Sequence, residues 1–303
     1  MYRYLIVIKY LTAKNNRINL KTHAENRKDL IDYCLSNHKQ FLAIGWAGEF
    51  ETFEAYFNTV RSGMKRINPV LNIFRNVAID DLFWTRDLEG NYWLCRSKGK
   101  AEAFFSKELD IGAVIPVEAY KVGLQVPGQI KASFNRANAG TANEIRDAII
   151  EEYSKATYNN LSQTDHYQVN QLRGNLLDNL PDFDLEELVI SYIQIKYDYY
   201  VLSNSIASKS TTIKIECEFL SRNPEKVAKA VVQVKGKKAA PLDAMQFSSF
   251  VEAGYEVFLF APVVENMEKS KNIIVITPNE LLDFYNTYKK ILPTSITQWE
   301  KLY

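Results

Sequence analysis

The sequence predicts an α+β protein of two domains. Three observations carry this. Strand-like and helix-like segments are mixed along the whole chain, their rhythm differs between the first and last thirds, and a stretch of different composition separates them. The length of 303 residues exceeds one typical domain, and 47% hydrophobic with 24% charged residues is enough for full cores. Thirty-seven Lys and Arg against thirty-six Asp and Glu give a net charge of +1. That balance offers no global signature of a nucleic-acid binder, although it leaves local basic patches open. Three His and three Cys, none in CxxC or HxxxH spacing, leave little room for a zinc site. The scattered Cys34, Cys95 and Cys217 fit reduced thiols in the cytoplasm better than a disulfide framework.

From the N-terminus, Tyr4 to Ile8 is apolar but bracketed by Arg3 and Lys9. It is too short for a membrane span or a signal segment and reads as a strand. The polar stretch with Asn15, Asn16 and Asn19 reads as a loop. Asn26 to Leu35 has helical spacing, with Leu30, Ile31, Cys34 and Leu35 on one face. Phe41 to Trp46 is a short buried strand. Phe50 to Met64 reads as a helix in which Phe53, Phe57, Val60 and Met64 recur every three or four residues. "DLFWTRD", "NYWLCRS" and "IKASFNR" follow, with a turn at Glu89-Gly90-Asn91 between the first two. Short strands with two interposed helices predict a small barrel or curled sheet.

Between Arg136 and Pro181, small polar residues, a helix over 142–153 and a polar loop over 159–165 suggest a helical linker. The last third begins with a helix over 183–192, opened by Asp182, Asp184, Glu186 and Glu187. Strands follow at 197–202, 213–220 and 230–235, the last two joined by a basic turn at 222–226. A helix at 240–252 and strands at 255–261 and 273–276 complete a mixed α/β layer.

The chemistry sits in "TTIKIECEFLSRNPEKVAKAVVQVKGKK", residues 211–238. Strand alternation puts Ile215, Cys217 and Phe219 on one face and Lys214, Glu216 and Glu218 on the other. Gln233 and Lys235 share a face by the same rule. If these strands pair, a carboxylate, an amide and an ammonium converge on one edge. That set suits metal-assisted phosphodiester hydrolysis. Glu216 and Gln233 offer oxygen ligands to Mg²⁺ or Mn²⁺, and Lys235 can hold the attacking water. Lys237 and Lys238 are either a solvated turn or contacts to flanking phosphates.

This segment resembles the PD-(D/E)xK nuclease superfamily, and its Gln-containing "QVK" resembles the Mrr-type restriction branch. The resemblance spans roughly the last 120 residues. It implies a restriction-endonuclease-like α/β sandwich over 181–303. By the match, Glu216 is the acidic position, Gln233 and Lys235 are the QxK positions, and Glu187 or Glu186 is the helix carboxylate. No "PD" dipeptide precedes the strand and the acid is Glu, so Glu218 competes with Glu216.

"FLAIGW", "DLFWTRDLEGNYWLCR" and "DIGAVIPVEAYKVG" resemble PUA-superfamily barrels of the EVE and YTH type. The likeness implies a PUA-like β-barrel with helices over 1–136 that reads a flipped, modified base, joined to the nuclease by the linker at 137–180. Stacking on aromatic faces suits that task. Trp46 is the first candidate for base binding, followed by Trp84 and Trp93; each is otherwise a core residue of a small barrel. Together the resemblances imply a modification-dependent, Mg²⁺-dependent DNA endonuclease that restricts foreign DNA. Its expected partner is double-stranded DNA carrying a modified base. A homodimer is expected from the two cuts a duplex needs, and no membrane association is expected. The alternatives are a non-catalytic nucleic-acid-binding protein on a degenerate nuclease fold, and a nuclease acting on RNA.

Overall fold

A computed structural model describes residues 13–36, 38–65, 68–135, 140–170, 174–205, 215–225, 228–236, 239–267 and 272–302. The expected strand at 4–8 lies outside these, as do Lys214, Lys226, Lys237 and Lys238. The chain divides into two compact units, residues 1–126 with 130–170, and 127–129 with 171–303. Both mix helices with sheet.

In the first unit the elements run β1 (Asn15–Ile18), α1 (Arg27–Leu35), β2 (Gln40–Ile44), α2 (Phe53–Ser62), α3 (Pro69–Arg75), β3 (Leu82–Arg86), β4 (Tyr92–Ser97), β5 (Glu102–Ser106), β6 (Ile111–Gly123), α4 (Gly128–Asn135), β7 (Ala142–Glu144) and α5 (Ala148–Ser162). The sheet order is β2-β6-β4-β3-β1-β7, with β5 also on β6. Side-chain caps place the helix starts: Asn26 accepts from the Lys28 and Asp29 amides, and Thr52 accepts from Ala55. α1 buries Leu30, Ile31, Cys34 and Leu35, the face its spacing predicts. α2 is shorter than expected because Thr52 caps it; Phe50 stays outside and packs edge-on against Tyr56.

Three expectations are corrected here. The polar stretch around Asn15 is a buried strand rather than a loop. It pairs in parallel with β3 and antiparallel with β7, so tertiary pairing overrides its polarity. Within it Asn15 is 3% exposed, and its amide has no partner among the described residues. "IKASFN", Ile130 to Asn135, lies in helix α4 rather than in a strand, and Arg136 is outside the described residues. The stretch read as a linker does not stand between domains: α5 lies against the first sheet, and residues 171–180 belong to the second unit. Asp147 caps α5 by accepting from Ile149 and Ile150, so the helix begins later than the composition suggests.

The second unit contains α6 (Leu176–Asn179), α7 (Asp182–Lys196), β8 (Tyr199–Val201), β9 (Cys217–Ser221), β10 (Lys229–Val234), β11 (Leu242–Asp243), α8 (Ser248–Glu252), β12 (Glu256–Phe260), β13 (Val264–Glu265), β14 (Ile273–Val275), α9 (Pro278–Tyr288) and α10 (Thr294–Thr297). Its main sheet has the order β14-β12-β10-β9-β8. β9 is antiparallel to both β8 and β10, whereas β10, β12 and β14 run parallel. Tyr197 on the α7 side meets Phe258 of β12 at 4.8 Å between ring centroids, and Tyr192 meets Phe284 of α9 at 5.2 Å. On the opposite face Val231, Val257 and Leu259 pack with Ala244 and Phe247. Helices thus cover both faces of a mixed sheet. Among the described residues no helix is long and apolar enough to cross a membrane.

Candidate active site

The β9–β10 register carries the site. Val232 lies opposite Cys217 and Val231 opposite Glu218, so Gln233 falls beside Glu216 just beyond the last paired residue. The Glu216 amide donates to Val232 O at 2.9 Å, which extends the pairing by one residue. Across this step Gln233 Nε2 donates to Glu216 Oε1 at 2.6 Å and to Val234 O at 3.0 Å. With its NH₂ spent this way, the Gln233 side chain has its carbonyl oxygen left to offer a ligand. The Lys235 amide donates to Phe260 O at 2.7 Å, which anchors the lysine at the end of β10.

Helix α7 brings carboxylates to the same end. Glu186 is half-buried and its pKa is pushed up to about 7, first by burial and then by the charges of Glu216 and Asp182; Lys235 opposes the rise. Burial also raises Glu216, against the Gln233 hydrogen bond and the Lys235 charge. Asp182 stands one turn before Glu186. A Cβ at Gly236 would lie 2.7 Å from Asp182 Oδ1, so only glycine allows this carboxylate so close to the residue after Lys235. Gln233 therefore contacts Glu216, and Lys235 stands close enough for its charge to act on both Glu216 and Glu186. Glu186 is the helix carboxylate whose pKa responds to the charges of Glu216 and Lys235. Glu187 is exposed, because one residue turns a helix by about 100°. Asp182 was not singled out by sequence; its signal is the i, i+4 relation to Glu186. Glu218 shares the strand face of Glu216, but it lies opposite Val231 rather than Gln233.

The donor chemistry fits a hard cation. The half-buried Glu186 and Glu216 are each raised by burial and by neighbouring carboxylate charge, and a divalent ion at their oxygens would relieve that repulsion. Among the described residues no group of three or more His, Cys, Asp or Glu side chains is arranged as a ready metal cage. Such an ion would therefore draw on Glu216 and Glu186 together with the Gln233 carbonyl oxygen and waters.

The structure does not bring the three tryptophans of the first unit together. Trp84 is 0% exposed; it stacks on Tyr153 at 6.3 Å and donates through Nε1 to Ser154 Oγ at 2.9 Å. It is a core residue on the α5 face, and its ring has no side open to a base. Trp93 lies on the opposite face, because Trp84 pairs with Leu94 and Thr85 with Trp93. Its Nε1 donates to Asp87 Oδ2 at 3.0 Å. Trp46 follows β2, where Ile44 pairs with Ala113, whereas Trp93 pairs with Lys121. Eight residues of β6 separate those partners, on the order of 26 Å of strand at about 3.3 Å per residue.

Trp46 stands in a strained segment after β2. It is half-buried with φ of 63°, in the left-handed region that bulky residues avoid. Asp110 holds this conformation: Oδ1 accepts from the Ala47 amide at 3.0 Å and Oδ2 from the His23 amide at 2.8 Å. Tyr56 OH donates to Gly45 O at 2.8 Å, and a Cβ at Gly112 would lie 2.5 Å from Trp46 O.

Comparison with known proteins returns no matching family, no matching curated protein and no matching solved structure.

Proposed function

We propose that this chain is a divalent-metal-dependent DNA endonuclease of the PD-(D/E)xK type whose first unit reads a modified base. The observation that carries the reading is the meeting of Glu216, Gln233, Lys235 and Glu186 at one end of β10. Glu216 and Glu186, with the Gln233 carbonyl, would hold Mg²⁺ or Mn²⁺, which supplies Lewis-acid polarisation of the phosphate and a more acidic water. Lys235 orients the attacking water and offsets negative charge as it grows on the phosphate oxygens. The new bond joins the water oxygen to phosphorus, the P–O bond to the leaving sugar breaks, and a proton ends on the departing oxygen. That proton comes from the attacking water.

For the first unit, the strained Trp46 beside Asp110 supports a stacking role toward an extruded base, and the proposed partner is duplex DNA carrying a modification. Restriction of foreign DNA is the biological role that joins these parts. A second reading is a nucleic-acid-binding protein that does not cut. The lack of a ready metal cage among the described residues favours it, since Gln233 adds no charge to hold a cation. Incubation of the full chain with plasmids of different methylation states decides between the two. Cleavage with Mg²⁺ or Mn²⁺ that a chelator abolishes supports the first reading; binding without cleavage under every metal supports the second.

A further inference from the structure

Three arginines gather at one end of the first sheet. Arg17 of β1 is buried; its Nη1 donates to Gly140 O at 2.6 Å, and its guanidinium lies 5.6 Å from the Phe134 ring. Arg86 closes β3. Its guanidinium lies 5.6 Å from the same ring and 5.9 Å from Tyr92, and Nη1 donates to Asn135 Oδ1 at 3.1 Å. Arg27 opens α1 and donates through Nε to Leu20 O at 2.9 Å.

The partners of Arg27 and Arg86 are all neutral. Neither arginine forms an ion pair with a described carboxylate, whereas Arg75, Arg96, Arg146 and Arg222 each do. Asp87, next to Arg86 in sequence, accepts instead from Trp93 Nε1 and from Asn91. Burial lowers the Arg27 pKa, and the charge of Arg86 lowers it further, so the two cations feel each other. A carbonyl, an amide oxygen and two aromatic faces hold the guanidiniums in place, while no described carboxylate pairs with either charge. Such an arrangement limits the side-chain entropy lost on binding and presents the remaining N–H groups to an external anion.

We propose that Arg27 and Arg86 form a phosphodiester-binding surface of the first unit, which holds the nucleic-acid backbone without reading its sequence. The proposal rests on the reading above that the partner is nucleic acid. The planar fork of arginine matches two phosphate oxygens at once, and backbone contacts of this kind set register while base contacts select.

The test is duplex binding by the full chain in chelator, so that nothing is cut, over a series of salt concentrations. Arg27→Gln and Arg86→Gln should each weaken binding equally on modified and unmodified duplex. Each should also reduce the slope of log affinity against log salt by about 0.9, the double variant by about twice that. Arg86→Lys should keep the slope while losing affinity, since charge remains and the fork does not. Arg27 is exposed, so Arg27→Gln keeps the fold and carries the test alone if the Arg86 variant does not fold. Unchanged affinity and slope in the folded variants overturn the proposal. So does a loss of binding to polyglutamate with duplex binding intact, which marks the surface as a site for acidic protein. A wild-type chain that binds no duplex overturns both this proposal and the proposed function. A chain that binds with the expected slopes but cuts under no metal overturns the endonuclease alone and leaves the surface standing.

Discussion

Gln233 Nε2 donates to Glu216 Oε1 at 2.6 Å, and this bond fixes which way the amide faces. A carboxylate can only accept, so the NH₂ must point at Glu216 and the carbonyl must point away from it. The same contact restrains Glu216, whose burial would otherwise raise its pKa further. An amide in this position counters the rise in its neighbour's pKa and leaves its own oxygen available without adding charge.

Lys235→Ala is expected to reduce cleavage by at least about a hundredfold, the size usual for loss of one electrostatic stabiliser. Its melting temperature should stay close to wild type, because Lys235 is half-exposed and its backbone amide still pairs with Phe260. Glu216→Ala should fall by a similar factor and Glu218→Ala by much less. A Lys235→Ala protein that cuts at the wild-type rate removes this residue from the mechanism, and a reversal of the two Glu variants moves the ligand along the strand.

Glu186→Gln and Glu187→Gln separate two adjacent carboxylates. The first should lose most of the cleavage activity and the second should keep it, since Glu186 is half-buried and raised by the charge of Glu216 whereas Glu187 is exposed. Gly236→Ala should act in the same direction by displacing Asp182, whose Oδ1 would lie 2.7 Å from the added methyl. Metal-dependent cleavage rates for all three check this; equal loss in the two Gln variants contradicts the assignment.

Helix α1 was legible because its apolar spacing and the Asn26 cap agree with the final burial. β1 was not, because Asn15, Asn16 and Arg17 are polar and only their pairing with β3 and β7 makes them a strand. The Glu216–Gln233–Lys235 set could be read from alternation alone once the two strands were taken as neighbours. Glu186 against Glu187 could not, since that choice needs the rotation of α7 about its axis. That Trp84 and Trp93 lie on opposite faces was not legible for a related reason: it follows from the pairing of β3 with β4, a relation between strands that residue type does not encode.

Acid stability should report on Glu118 and its bond from Tyr158. Its guanidinium donates to Glu118 Oε2 at 2.9 Å, and the Tyr158 hydroxyl donates to the same oxygen. The Tyr158 bond first, then Arg96, lowers the Glu118 pKa to about 2. A carboxyl lowered on folding stabilises the protein fully above its unfolded pKa of about 4.3, and that contribution is lost as pH falls toward 2. Tyr158→Phe should therefore melt lower than wild type at neutral pH, with the gap narrowing between about pH 4.3 and 2. A gap that stays constant through this window assigns the loss to packing alone. The Glu118 side chain is 36% exposed, so solvent screening keeps the effect small.

Trp46 and Trp84 should respond to loss of the ring in opposite ways. Trp84→Ala empties a fully buried site and removes the indole's hydrogen bond to Ser154 Oγ, so it should cost about 3–5 kcal/mol of stability. Trp46→Ala removes a half-buried ring from a loop that Asp110 still clamps, and should cost much less. Trp46→Gly should be at least as stable as Trp46→Ala, since φ of 63° strains alanine and suits glycine. If Trp46 stacks on an extruded base, both Trp46 variants lose stacking worth about 1–3 kcal/mol per base, or roughly tenfold or more in affinity for modified duplex. Weak binding driven by phosphate contacts should persist in both, and metal-dependent cleavage should continue without preference for modified substrate. Melting curves and duplex titrations on the same preparations check this. A folded Trp46→Gly protein that still prefers modified DNA removes Trp46 from base recognition.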